Sequence, residues 1–473
     1  MRRSGKVGLA AGGVVTALAA YATLDVYDVV PGVLTRATAA RHAVPAPGHT
    51  TVGPSVAPPR APVNPALAGA DTGPQAGAAS LKARIQAAQK AAGLSGKVTM
   101  TVRDAVTGTD LYDQGAGTAM TPASTTKLLT AWAISHTLPL ESTFTTKVVS
   151  PVAGSIVLVA GGDTCLNPHA GNPNAVCGRA GVGDLATQIV AGLKKQGRTS
   201  VRLAYDASYD PGPATAPGWG RDLLDMGFTT RIAMLGLSTQ HAETGPAVAN
   251  PDASTTAALA TALRAKGIAV TGVAPTTAPA GATTVASVQS APLLDQLGFA
   301  LQESDNSMIE SLARQAAYHS GTRANSEAAL TGWVRSRLAG GGFDLAGLKL
   351  ADVCGLSDGT TLTARLLGDL LSAATTGKDP QFAPVLTRLP VGGWNGTLNN
   401  RYATLATRAG AGWVRAKTGS LPSVNSLAGT VLDVQGRLMV FVIIANGSQP
   451  LGPTGTRAAI DTVVTAVRGC GCP

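Results

Sequence analysis

Aromatic residues make up only 4% of this 473-residue chain, and charged residues only 14%. The six histidines form no H-E-x-x-H pair, and none stands at zinc-finger spacing. No two of the five cysteines form C-x-x-C. A zinc-hydrolase or structural-zinc reading therefore has no ligand set. GRAGVGD at 178–184 lacks the G-K-[ST] ending of a phosphate loop. The formal net charge is +10, yet Lys and Arg are scattered. With no basic run and no aromatic-rich strand motif for stacking bases, nucleic acid is not an expected partner.

What is present begins at the N-terminus. MRRSGK carries three cations, and residues 7–24 follow without a charge. This is the layout of an export signal, with Ala20-Tyr21-Ala22 as a small-x-small cleavage pattern. The apolar stretch is also long enough to remain as a membrane anchor, with Arg2, Arg3 and Lys6 on the cytoplasmic side. Either way the body of the protein is expected outside the cytoplasm, in the cell envelope, where a basic surface suits an anionic wall polymer. In an oxidising compartment Cys165 and Cys177 suit a bridge across a loop rich in Gly, Pro and Asn. Cys354 can pair with Cys470 or Cys472, and one thiol is left over; the connectivity stays open.

The pattern along the chain sets expected boundaries. Residues 1–35 read as signal or anchor, and 36–78 as an extended Pro/Ala-rich linker that cannot build a core. SLKARIQAAQKAAG has helical spacing with a glycine stop. KVTMTVRD alternates as a strand and leads through a turn to a second. TTKVVS, SIVLVAGGD and VRLAYD read as strands, and 183–197 and TTAALATALRAKG as helices. Residues 292–338 and TLTARLLGDLLSAA are helical. The end holds GWVRAKTG, then two strands joined at Val434–Gly436, then a helix from Thr456 to about Val467. The reading is a sheet built from N- and C-terminal strands and covered by helices. The catalytic part spans 79–150 and 290–473, with 151–289 inserted as accessory lobes.

PASTTKLLTA, residues 122–131, poses the functional question. Pro122 and Ser124 are ordinary at a helix start, and Lys127 alone is an ordinary solvated charge. Two further motifs change that reading. Ser124-Thr125-Thr126-Lys127 is S-x-x-K, Ser304-Asp305-Asn306 is S-D-N, and Lys417-Thr418-Gly419 is K-T-G. Each alone is a weak signal; together, in this order, they are the set of penicillin-binding proteins and class A β-lactamases. A serine hydroxyl needs a base, and Lys127 lies one helical turn away on the same face. Lys127 is a base only when neutral, and the field of Lys417 would help keep it so. Ser304 can relay a proton and Asn306 can hold a substrate amide. Lys417 and Thr418 can bind a carboxylate. Gly419 leaves room for substrate along the strand edge, and the N–H groups of Ser124 and Ser420 suit an oxyanion hole. Asp305 and Asp163 read as local structural residues, Trp219 as packing in an inserted lobe, and the histidines as structural.

These segments resemble the class C low-molecular-mass penicillin-binding proteins, the D-alanyl-D-alanine carboxypeptidase/endopeptidase family S13, over about residues 80–468. PASTTKLLTA, VLVAGGDTCL, ESDNSMIE and AKTGSLPSVNSLAGTV carry the likeness. DVCGLS resembles a D-G-S-G-L-S segment, with Val353 and Cys354 as departures that bear on local loop geometry. Ser304 lies 177 positions after Lys127, far more than in the small β-lactamases, which implies inserted domains. No E-x-x-L-N segment intervenes, so a β-lactam is expected to inhibit rather than turn over. The resemblance implies an α/β (α+β) fold: a penicillin-binding/serine β-lactamase-like transpeptidase domain, an antiparallel sheet flanked by helices, with large β-rich insertions. It implies a serine D-Ala-D-Ala carboxypeptidase/endopeptidase acting on peptidoglycan stem peptides through an acyl-enzyme, with β-lactams as ligands and no metal or cofactor. The alternatives are a non-catalytic peptidoglycan- or β-lactam-binding module, and a β-lactamase or esterase on the same fold. The sequence does not fix the oligomeric state.

Overall fold

The structure is a computed structural model that describes residues 73–209, 212–241, 247–447 and 451–471. The expected signal or anchor, the linker up to residue 72, and Cys472 lie outside the described residues. Helix α1 (Ala78–Ala91) leads into β1 (Lys97–Asp104) and β2 (Asp110–Gln114). A 3₁₀ turn, Ala123–Thr126, precedes α2 (Lys127–Ser135). Then come β3 (Thr145–Ser150), β4 (Ser155–Val159), α3 (Val182–Lys195), β5 (Ser200–Asp206), α4 (Pro251–Ala265), β6 (Ala269–Pro275) and β7 (Thr283–Gln289). Helices α5 (Leu293–Gln302), α6 (Asn306–His319), α7 (Glu327–Gly340) and α8 (Ala364–Thr375) follow. Strands β8 (Val414–Leu421), β9 (Val424–Leu432) and β10 (Leu438–Asn446) and helix α9 (Gly452–Arg468) complete the chain. Local chemistry starts several helices: Asn250, Asp305, Ser326 and Thr363 each cap one by accepting a backbone N–H.

The main sheet has the order β8-β9-β10-β1-β2, and all its pairings are antiparallel. Period two divides β10 between two cores. Met439, Phe441 and Ile443 join Leu81 and Ile85 of α1 and Ile460 and Val463 of α9. Val440, Val442 and Ile444 join Leu366, Leu367 and Leu370 of α8. Both faces are thus covered, and each fully buried aliphatic side chain contributes about 1.5–3 kcal/mol. Helix α2 is buried at every position, including Lys127. Its polar members must therefore find partners inside.

A second sheet, β6-β5-β4-β3-β7, is mixed, with β4, β5 and β6 parallel. It closes its own core with α3 and α4, so the insertion carries helices as well as strands. β3 (Thr145–Ser150) pairs within this sheet, between β4 and β7. Gly161 allows close packing within it, where a Cβ would stand 1.8 Å from the Thr145 carbonyl oxygen, and Gly162 (φ +100) docks it on α6, where a Cβ would stand 1.8 Å from Gln315 Oε1. Cys165 and Cys177 form the expected disulfide. The Cys354 pairing is corrected: Cys354 is a free, fully buried thiol, and Cys470 is bonded elsewhere. Cys354 lies between Asp352 and Gly355 in a turn tied to α2 and α6. Among the described residues no helix is long and apolar enough to cross a membrane.

Candidate active site

Ser124 lies in the 3₁₀ turn rather than in the helix, and Lys127 is the first residue of α2. Hydroxyls lock the turn from both sides. Thr125 donates to the Pro122 carbonyl (2.8 Å), Thr126 to that of Ala123 (2.8 Å), and Ser426 of β9 to that of Pro122 (2.5 Å). Ala123 takes a left-handed φ of +50, and Ser304 one of +57. These are two of the three non-glycine residues with positive φ among the described residues, and each adjoins or belongs to a motif. Such strain persists only where the surroundings enforce it.

Lys127 Nζ faces three oxygens: Ser124 Oγ at 2.9 Å, Asn306 Oδ1 at 2.5 Å and the Cys354 carbonyl at 3.0 Å. The last two can only accept. A neutral amine has two protons for them and a lone pair left for the Ser124 hydroxyl, which is the arrangement of a base on a nucleophile. Burial pushes the Lys127 pKa down, against the opposing fields of Cys354, Asp352, Asp305 and Glu310. Desolvation therefore favours the neutral amine, where the sequence reading had assigned that task to Lys417. Asn306 Nδ2 donates to the Phe228 carbonyl (2.8 Å), which fixes its amide orientation.

The Cys354 carbonyl is set by its loop. Asp352 accepts the N–H groups of Cys354 (3.1 Å), Gly355 (2.6 Å) and Ser357 (2.6 Å), and the Trp219 indole N–H (3.1 Å). Trp219 thus packs in the catalytic core. Gly355 has φ +82, and a Cβ there would lie 2.1 Å from the Ala123 carbonyl oxygen. The contact that touches Lys127 is backbone, so Val353 and Cys354 alter side chains without removing it.

Lys417 Nζ donates to Ser304 Oγ (2.9 Å) and to the Thr418 carbonyl (2.9 Å). Thr418 Oγ1 donates to Thr397 Oγ1 (2.9 Å), on a loop the motifs gave no sign of. Strand β8 is a sheet edge. Ala416 N–H donates outward to Pro390 O (3.0 Å), and Val414 O accepts outward from Gly392 N–H (2.9 Å). By strand alternation the peptide groups of Thr418 and Ser420 also point outward. Gly419 serves close approach: a Cβ there would stand 2.5 Å from Pro122 O and 3.1 Å from Ser124 N. That brings the Ser124 N–H beside the edge that presents the Ser420 N–H. Ser420 Oγ turns to Asn425 Oδ1 (3.4 Å).

Asp305 does more than cap α6. His241, from the insertion, places Nδ1 2.6 Å from Asp305 Oδ2 and Nε2 2.8 Å from the Thr164 carbonyl. Both ring nitrogens face acceptors, as suits an imidazolium. Desolvation opposes that charge, but Asp305 prevails and raises the His241 pKa. Burial works against the Asp305 carboxylate too, yet His241 and the Met308 and Ser307 hydrogen bonds hold it at about 2. Asp163, beside this pair, is pushed by burial to about 6. Asp305, Asp163 and His241 are therefore structural in kind, but wired to the S-D-N turn.

Comparison with known proteins follows the same lines. The model of the D-Ala-D-Ala carboxypeptidase 3 (S13) family matches residues 81–244 and 235–467. Carboxypeptidase DacB of Mycolicibacterium smegmatis is 40% identical over 385 residues, 80% of this chain and 81% of that protein. Carboxypeptidase Rv3627c of Mycobacterium tuberculosis is 37% identical over the same shares. The crystal structure of penicillin binding protein 4 (dacB) from Haemophilus influenzae superposes with a TM-score of 0.66 at 21% identity, covering 80% of this chain and 98% of that one. That likeness shows the fold.

Proposed function

The chain belongs to the D-Ala-D-Ala carboxypeptidase 3 (S13) family, and on that premise we propose that Ser124 and its neighbours carry the family's chemistry. The protein is a serine-type D-Ala-D-Ala carboxypeptidase/endopeptidase of peptidoglycan stem peptides, working through an acyl-enzyme that β-lactams trap. The observation that carries the assignment of the site is the buried Lys127 amine, 2.9 Å from the Ser124 hydroxyl with only acceptors otherwise around it.

In the first step neutral Lys127 takes the Ser124 proton as Oγ bonds to the carbonyl carbon. The N–H groups of Ser124 and Ser420 bind the oxyanion. Lys417 and Thr418 hold the terminal carboxylate, and Asn306 the acyl-side amide. As the C–N bond breaks, the proton passes to the leaving nitrogen with Ser304 as relay. Water then adds to the ester, Ser124 regains its proton, and the shortened peptide leaves as an acid. The catalytic unit comprises the chain on either side of residues 145–289. An envelope location agrees with the family and with the Cys165–Cys177 disulfide.

The test is covalent labelling of the purified protein with a fluorescent penicillin, beside Ser124→Ala, read on a denaturing gel. Lasting label on the wild type and none on the variant is expected, with D-alanine release from a stem pentapeptide. Rapid, repeated nitrocefin hydrolysis in place of lasting label would refute a penicillin-inhibited peptidase.

A further inference from the structure

One indole stands in solvent on a loop that is otherwise fixed. Trp394 is 80% exposed. Around it, Val391 N–H donates to Asn395 Oδ1 (2.8 Å), Gly393 N–H to Leu398 O (2.9 Å) and Trp394 N–H to Val391 O (3.0 Å). Gly396 takes φ +54, and a Cβ there would lie 2.6 Å from Gln302 O, two residues before Ser304. Thr397 accepts from Thr418. The loop is thus pinned to the β8 edge, to the S-D-N turn and to the K-T-G motif, and none of these ties uses the indole. A lone exposed hydrophobe needs no explanation, but this one has company. Trp413 is 49% exposed, with the Arg468 guanidinium stacked 4.3 Å from its ring centre. Its turn adjoins the loop through Gly412 N–H to Gly392 O (2.8 Å).

The same loop limits where substrate can lie. Pro390 and Gly392 already occupy the outward groups of Ala416 and Val414. A peptide added to the β8 edge therefore has only the segment from Thr418 onward, and on its carboxylate side it runs into the loop. When the leaving group is a single D-alanine, it ends at Thr418. When the bond cut is a cross-link, the leaving amine belongs to a second stem peptide, which has to pass over the loop. We propose that Trp394 is a specificity residue for cross-linked substrate, its exposed ring packing on the second stem peptide beyond the cleaved amide. This rests on the function assigned above. Rigid aromatic rings that are solvated until a ligand covers them are common anchors of such contacts.

The experiment compares kcat/KM of wild type, Trp394→Ala and Trp394→Phe on two substrates, a cross-linked stem-peptide dimer and a stem pentapeptide ending in D-Ala-D-Ala. The dimer-to-pentapeptide ratio is expected to fall about tenfold in Trp394→Ala, the scale of one aromatic contact, and to recover largely in Trp394→Phe. An unchanged ratio in an active enzyme overturns the inference alone. A wild type that cleaves neither substrate and takes no penicillin label overturns the functional assignment, and this inference with it.

Discussion

Replacing Asp305 by asparagine isolates the ion pair between the insertion and the S-D-N turn. Asparagine is as good an N-cap as aspartate, so the bond from Met308 N–H survives. What is lost is the anion facing His241 at 2.6 Å. Holding the Asp305 carboxyl at about 2 against its ordinary 3.8 corresponds to about 2 kcal/mol of folded-state stability at neutral pH. This contribution is present above the unfolded value and is lost as pH falls through the folded one. The raised His241 pKa acts in the other direction: its share is full below about 6.5 and is lost as pH climbs past the folded value. The wild type should therefore gain most from the pair between about pH 4 and 6.5. Thermal unfolding of both proteins, followed by circular dichroism from pH 2.5 to 8, reads this directly. At pH 6 the variant is expected to melt about 2–3 °C lower, and by pH 2.5 most of the free-energy gap should be gone. A gap that stays constant across the range, or no gap at all, would refute the pairing argument.

Two other expectations are independent of that pair. Gly355→Ala adds a Cβ at φ +82, 2.1 Å from the Ala123 carbonyl; displacing the Ser124 turn by even 1 Å should slow penicillin acylation about 100-fold, and acylation at the wild-type rate would sink the idea. Cys354 is fully buried and free. An alkylating reagent should leave it untouched in the folded, unreduced protein and modify it after unfolding, as mapped by mass spectrometry; a disulfide-linked peptide containing Cys354 would contradict this.

Much of the catalytic core was legible because its signals are local. Alternation marked β1, the tight turn at Val434–Gly436 marked β9 and β10, and the three motifs named Ser124, Lys127, Ser304, Asn306, Lys417 and Thr418. The partners that orient these side chains were not legible. Lys127 rests on the Cys354 carbonyl, Asn306 on that of Phe228, and Asp305 on His241. Backbone carbonyls have no residue type to recognise, and contacts across scores or hundreds of positions leave no spacing to read. Gly419 reads in sequence as room for substrate, and its close approach to Pro122 and Ser124 within the protein leaves no sequence signal. The 3₁₀ geometry at Ser124 was also hidden, because it is imposed by Ser426 and Gly355 from elsewhere in the chain.

The pairing of β1 with β10, Lys97 opposite Asn446 through Asp104 opposite Met439, joins an early and a late segment of the chain in one sheet. As the chain emerges from its N-terminus, the strands from Thr145 to Gln289 can find one another early, since their sheet needs nothing from the last third of the sequence. Strand β1 must wait for more than 300 residues before its β10 partner exists, a long-range closure that is intrinsically slow. Ser124 and Ser304 are likewise made well before Lys417. A chain cut short of β8 therefore carries Ser124 and Ser304 without Lys417 and without the edge strand beside them.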